Sequence, residues 1–207
     1  MAEAVRVGIG GPVGSGKTRL IERLLPLLHA DGVAVAVITN DLVTREDAER
    51  VAASGLIEPH LVVGVETGAC PHTAIREDPS ANLDAIGRLE LLHGPLDLVL
   101  LESGGDNLAA TFTSDLVDYW IYVIDTAAGD DIPRKRGLGM LQADLLVVNK
   151  IDLAPHVGAD LQRMRDDVAA IRPDRPSIFS DLRAPDGARE IYEQLRHGAL
   201  LDPATIR

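Results

Sequence analysis

Aromatic residues make up only 3% of this 207-residue chain, and Trp120 is its one tryptophan. Large rigid side chains are scarce, so the core must rest on Val, Leu, Ile and Ala. Cysteine is scarcer still. Cys70 stands alone, which excludes an intrachain disulfide. Lysine is nearly absent too: of 20 basic residues only Lys17, Lys135 and Lys150 are lysines. The net charge of −12 excludes a broad electrostatic grip on nucleic acid or on an anionic membrane surface. No apolar run approaches the roughly 20 residues of a membrane-crossing helix. No secretory signal pattern is visible at the N-terminus, and the expected location is the cytoplasm. Repeats, low-complexity stretches and linkers are missing, so the expectation is a single domain over residues 1–207.

What is present concentrates first in Gly11-Pro12-Val13-Gly14-Ser15-Gly16-Lys17-Thr18, which fits G-x-x-x-x-G-K-[ST]. An apolar run, Val5–Ile9, precedes it, and helical spacing of Leu20, Leu24, Leu27 and Leu28 follows over Arg19–His29. Strand, glycine-rich loop and helix are what a phosphate cradle requires. The glycines let backbone N–H groups turn inward, and the helix N-terminus adds partial positive charge. Lys17 is placed to reach the β- and γ-phosphates, and Thr18 to hold Mg²⁺. In a chain that otherwise uses arginine, lysines at 17 and 150 mark places that need a compact ammonium.

Downstream, apolar runs alternate with helical patterns. Strands are expected at Val33–Ile38, Leu61–Val65, Asp97–Leu101, Tyr119–Ile124, Asp144–Val148 and Ser177–Phe179. Helices are expected at Arg45–Ala53, Ser80–His93, Asp160–Ile171 and Gly187–Leu195, the first opened by Thr44 with Asp47 three residues on. Most strands are apolar throughout. The expected fold is therefore α/β, a mostly parallel sheet with helices on both faces, of the P-loop NTPase kind. Charged and glycine-rich clusters follow the strands' carboxyl ends, where such sheets bind ligands.

Asn149-Lys150-Ile151-Asp152 matches N-K-x-D and follows an apolar strand. The Asp152 carboxylate can accept from guanine N1–H and its exocyclic amine, donors that adenine lacks, while the Lys150 stem covers the base. Glu102-Ser103-Gly104-Gly105 has the form E-x-x-G. Glu102 suits Mg²⁺ support, directly or through water, and the Gly105 N–H suits the γ-phosphate. Asp41 and Glu66 end strands and are candidates for Mg²⁺ or for the attacking water; a turn or cap role fits them nearly as well. In Cys70-Pro71-His72 a thiolate and an imidazole stand two residues apart, a donor pair for Ni²⁺, Zn²⁺ or Cu. Two ligands are half a four-coordinate site; if no other side chain helps, two chains must each contribute the pair across a two-fold axis. On the residues alone, a buried apolar cysteine and a solvated loop histidine account for the pair better than a metal does. The other histidines, 29, 60, 93, 156 and 197, read as surface or helix-end residues.

These motifs, with Thr39-Asn40-Asp41, Cys70-Pro71-His72-Thr73-Ala74-Ile75-Arg76-Glu77-Asp78, Glu102-Ser103-Gly104-Gly105-Asp106-Asn107-Leu108 and Ile132-Pro133-Arg134-Lys135, resemble the urease accessory UreG family of SIMIBI-class P-loop GTPases. The likeness covers nearly the whole chain. It implies a GTPase that delivers Ni²⁺ to apo-urease with other accessory proteins and forms a homodimer when GTP and Ni²⁺ are bound. By this resemblance Cys70 and His72 bind nickel between protomers, Thr18, Asp41 and Glu66 serve Mg²⁺ and the switch, and Lys17, Asp41 and Glu102 are the catalytic set. Ala69 departs from the family's usual glycine. Phe179-Ser180-Asp181-Leu182 falls where the family places its last guanine-contacting loop. The rivals are a hydrogenase-maturation nickel GTPase, whose N-terminal cysteine cluster is missing here, and a small-molecule kinase on the same loop, which has no use for N-K-x-D.

Overall fold

The computed structural model describes residues 3–41, 46–67, 73–105, 108 and 111–199. Among them the strands are β1 (Val5–Gly10), β2 (Val35–Asp41), β3 (Val62–Glu66), β4 (Leu98–Glu102), β5 (Tyr119–Asp125), β6 (Leu145–Asn149) and β7 (Ser177–Phe179). They form one sheet in the order β3-β2-β4-β1-β5-β6-β7. All six neighbouring pairs are parallel. The sheet is thus fully rather than mostly parallel, as continuously apolar strands covered on both faces require.

Period-2 alternation divides the strand side chains between two layers. Val7, Ile9, Val37, Leu98, Leu100, Ile121, Val123 and Val147 pack on one face with α1 (Lys17–Ala30), α2 (Glu46–Ala53) and α7 (Arg189–Gly198), through Leu24, Val51 and Leu195 among others. Ala36, Ile38, Val99, Leu101, Tyr122, Leu146 and Val148 pack on the other with α3 (Ser80–His93), α4 (Leu138–Gln142) and α6 (Leu161–Ile171), through Ile86, Met140 and Met164. Branched aliphatics carry both layers, as the aromatic shortage demands. Trp120 and Tyr122 supply edge-on ring contact in the second layer. Removing Leu24, which is fully buried, would cost about 2–5 kcal/mol.

Element ends differ from the sequence reading for identifiable reasons. β2 runs on through polar Thr39-Asn40-Asp41 because its ladder to β3 continues to the pair Asp41–Glu66. α1 begins at Lys17, directly after the glycines, and α7 spans Arg189–Gly198. The short α4 and α5 (Ala154–Val157) and the π-type turn Thr73–Glu77 carry too little apolar period to be seen in sequence. Thr44, expected to open α2, lies outside the described residues. All five remaining histidines are exposed, as expected. Among the described residues no helix is long and apolar enough to cross a membrane.

Candidate functional site

The carboxyl ends of the strands bring the motifs to one edge. β1 delivers the chain into the loop, and α1 starts where the loop ends. Gly16, the residue before α1, has φ 108°, a left-handed conformation. An added Cβ there would lie 2.3 Å from Asn149 Nδ2, so glycine serves backbone shape and close approach together. Lys17 is buried, and its ammonium donates to Gly11 O at 2.9 Å and Pro12 O at 3.2 Å. The loop therefore wraps its own cation.

β4 lies between β2 and β1, so Glu102 pairs in register with Thr39 on one side and Ile9 on the other. Its carboxylate is 1% exposed. Thr18 Oγ1 is 2.7 Å from Glu102 Oε1 and 3.2 Å from Asp47 Oδ1, so one hydroxyl hydrogen faces two carboxylates. Glu102 Oε2 has no partner among the described residues. Burial pushes the Glu102 carboxyl up to about 7; Lys17 pulls it down, Asp47 pushes it further up, and the Thr18 hydroxyl and Arg50 lower it. An orphaned buried oxygen beside converging hydroxyl and carboxylate oxygens fits a hard divalent cation. A cavity of about 390 Å³ opens here, lined by Val13, Gly14 and Gly16 of the loop, by Lys17, Thr18 and Arg19 at the start of α1, and by Asp41, Glu46, Asp47, Arg50, Glu102 and Gly105. Gly105 sits tight against the loop: a Cβ on it would come within 1.9 Å of Val13 Cγ2.

Guanidinium groups stand at the rim of this cavity, held in place. Arg50 Nε donates to Glu22 Oε1 at 2.7 Å and Arg19 to Glu22 Oε2 at 3.0 Å. Burial works against the Glu22 charge, yet the two arginines hold its carboxyl below the usual range.

The N-K-x-D segment lies on the other side of the loop. Asn149 Nδ2 donates to Ser15 O at 2.8 Å, while Asn149 Oδ1 accepts from Lys150 N at 2.7 Å and Leu182 N at 3.2 Å. One buried amide thus clamps the phosphate loop, the N-K-x-D turn and the 180–182 loop. Lys150 holds φ 59°, a strained value for a residue with a side chain, costing about 1–3 kcal/mol. Its ammonium pairs with Asp125 Oδ1 at 3.3 Å. Asp152 is exposed at the same turn.

The structure thus gathers Val13, Gly14, Gly16, Lys17 and Thr18 of the loop with Asp41, Glu102 and Gly105 around one cavity; Gly11, Pro12 and Ser15 are not among its lining, and Asn149 joins the N-K-x-D turn to the loop at Ser15. Glu66 pairs with Asp41 in the ladder, is exposed, and is not among the residues lining the cavity. Cys70 and His72 lie outside the described residues. Asp47, Arg50 and Asp125 went unseen in the sequence. Asp47 stands three residues after Thr44, and the one signal available is its place in an acidic helix start just after Asp41.

Residues 5–179 match the pattern of the CobW/HypB/UreG nucleotide-binding domain. The chain is 70% identical over 201 residues to a urease accessory protein UreG of Mycolicibacterium gilvum, covering 97% of this chain and 98% of that protein. It superposes on the hydrogenase maturation factor HypB of Archaeoglobus fulgidus with a TM-score of 0.73 and 31% identity, covering 95% and 90% of the two chains. Against HypB of Helicobacter pylori, a structure in complex with nickel, the TM-score is 0.77 at 18% identity, with 96% and 88% covered, a likeness of fold.

Proposed function

Because the chain belongs to the CobW/HypB/UreG family of nucleotide-binding domains and stands among its urease accessory members, we propose that it is a GTP-hydrolysing metallochaperone that delivers Ni²⁺ to apo-urease. The observation that carries this reading is the Asn149 clamp, which locks a guanine-reading turn onto a phosphate loop. A small-molecule kinase built on this scaffold would have no need of Asp152.

In this reading the loop N–H groups hold the phosphates, and Lys17 leaves the carbonyls of Gly11 and Pro12 for the β- and γ-phosphates. Gly105 donates its N–H to the γ-phosphate. Thr18 and Glu102 would hold Mg²⁺ together with Asp41, and Glu66, outside the cavity lining here, would join from the switch side; the ion would supply charge neutralisation for the leaving phosphate. Asp47 Oδ1, already at Thr18, joins that oxygen set. Asp41 orients the attacking water. Asp152 accepts from guanine, Lys150 covers the base, and Asn149 fixes both. Cys70 and His72 of two protomers would hold Ni²⁺ as cargo, two thiolates and two imidazoles being a donor set that suits this ion. Hydrolysis removes the γ-phosphate contacts, the dimer loosens and the ion leaves. The whole chain acts as one cytoplasmic domain and works with other urease accessory proteins and apo-urease.

The test is light-scattering mass with bound-nickel analysis, on protein with Mg²⁺ and a non-hydrolysable GTP analogue, with and without Ni²⁺. A dimer with one nickel per two chains, formed only when both ligands are present, is expected. A nucleotide-bound monomer without nickel would remove the metallochaperone reading and leave a GTPase of another kind.

A further inference from the structure

Two buried asparagines outside that scheme connect its two ends. Asn40 is 1% exposed and Asn82 fully buried. Asn40 lies near the end of β2, its side chain on the α3 face by strand alternation with Ala36 and Ile38. Asn82 lies in the first turn of α3. Its Nδ2 donates to Asn40 Oδ1 and to Ala74 O, both at 2.9 Å. Asn40 Nδ2 in turn donates to Glu102 O at 3.0 Å. Direct bonds therefore run from Thr18 through Glu102, Asn40 and Asn82 to Ala74. Ala74 belongs to the π-type turn Thr73–Glu77 and follows His72 by two positions.

Chemistry dictates which way each amide faces. Both ends of the relay are backbone carbonyls, which only accept. Asn40 must present its N–H to Glu102 O, which leaves its oxygen to face Asn82. Asn82 must then present both N–H groups, one to Asn40 and one to Ala74. Its own oxygen is left buried without a partner among the described residues. An amide flip at either position would set oxygen against oxygen. The turn at the far end is pinned as well: Thr113 N donates to Ile75 O at 2.9 Å and Asp78 N to Thr73 O at 2.8 Å. π-type turns are rare and are frequently found at functional sites.

We propose that Asn40 and Asn82 are positioning residues that couple the nucleotide site to the metal-binding segment, by tying the Glu102 backbone to the turn that follows Cys70-Pro71-His72. This rests on the nickel reading of Cys70 and His72. When Glu102 trades its Thr18 contact for the Mg²⁺–nucleotide complex, its carbonyl shifts, and the directional amide chain carries that shift to Ala74. Coupling of this kind is reciprocal: nickel must tighten nucleotide binding by the factor with which nucleotide tightens nickel binding.

The experiment is calorimetric titration of the full chain with Ni²⁺, with and without Mg²⁺ and a non-hydrolysable GTP analogue, and the reverse titration with and without Ni²⁺. Wild type is compared with Asn82→Leu, which keeps the size and removes the donors, and with Asn82→Asp, which turns acceptors toward Asn40 and Ala74. Both variants are expected to bind the nucleotide analogue alone within about threefold of wild type. In both, the mutual enhancement is expected to fall about tenfold or more, equally in the two directions. A purely structural role would shift both affinities without changing their ratio. Enhancement retained in either folded variant overturns the proposal. Failure of both variants to fold assigns the pair to core stability and overturns it too. If wild type itself shows no enhancement, the nucleotide–nickel switch falls; an enhanced wild type with unchanged variants removes the relay alone.

Discussion

The two sides of the phosphate loop are built on opposite terms. On the base side the buried amide of Asn149 and the Lys150 ammonium have their partners. Asn149 uses its N–H on Ser15 and its oxygen on two N–H groups, and Lys150 has Asp125. On the phosphate side Asp41, Glu46, Asp47 and Glu102 line one cavity, the Thr18 hydroxyl faces two carboxylates, and a buried Glu102 oxygen has no partner among the described residues. The first side is preorganised, so guanine meets a finished surface and little binding energy goes into ordering it. The second is electrostatically strained and gains most from a dication and a phosphate chain. On the proposed reading, specificity belongs to the satisfied half and the capacity to switch to the unsatisfied half.

The largest effect should come from the cation that the strained half wraps. Lys17→Ala is expected to lower GTP turnover about 10²–10³-fold, read as phosphate release in single-turnover conditions. The substitution also frees Gly11 O and Pro12 O, so far-ultraviolet circular dichroism should confirm an unchanged fold. The satisfied half answers to a different probe. Asp152→Asn should cut the preference for GTP over ATP about 10²-fold and favour xanthosine triphosphate, because a carboxamide can donate to the C2 carbonyl of xanthine where the carboxylate accepted from the guanine amine. Competition against a fluorescent GTP analogue measures both shifts. Unchanged discrimination would mean that the exposed Asp152 carboxylate does not reach the base.

Sequence disclosed the local patterns of both halves. Strand, glycine loop, helix and N-K-x-D are local patterns, each decided by residues within a few positions, and all of them fell where they were expected. What stayed hidden arises from register across the sheet. Asp47 reaches Thr18 only because α2 folds back over the loop, and its place at a helix start offered a sufficient local explanation. Asn82 is a polar residue in the first turn of a helix until β2 and β4 are placed beside it. Strand order could not be read either, since nothing local says that β4 inserts between β2 and β1. The short α4 and α5 carry too few apolar residues to show a period.

Glu102 tests the strained half through pH. Its carboxyl titrates near 7 in the folded chain against about 4.5 when unfolded. The native state therefore holds the proton more tightly, and the metal-free, nucleotide-free protein should lose stability as pH rises from about 4.5 to 7. The full loss is about 3 kcal/mol. Glu102→Gln, neutral at every pH, should flatten that slope and weaken Mg²⁺-dependent nucleotide binding. Denaturant midpoints at pH 5 and pH 8 decide it. A wild-type protein equally stable at both values would show that the cluster relaxes its charge by another route.

The smallest effect probes the seam between the halves. Gly16→Ala places a methyl group 2.3 Å from Asn149 Nδ2 on a backbone at φ 108°. The conformation alone costs about 1–2 kcal/mol. To make room, Asn149 must retreat from Ser15 O, and in doing so it slackens its hold on Lys150 and Leu182 as well. Global stability should fall by that amount, visible as a lower urea midpoint. Guanine discrimination should fall with it, although the substitution touches neither Asp152 nor Lys150. Loss of stability with discrimination intact would show that the base-reading turn holds its shape without the clamp, and the division between a finished half and a strained one would then rest on Lys150 and Asp125 alone.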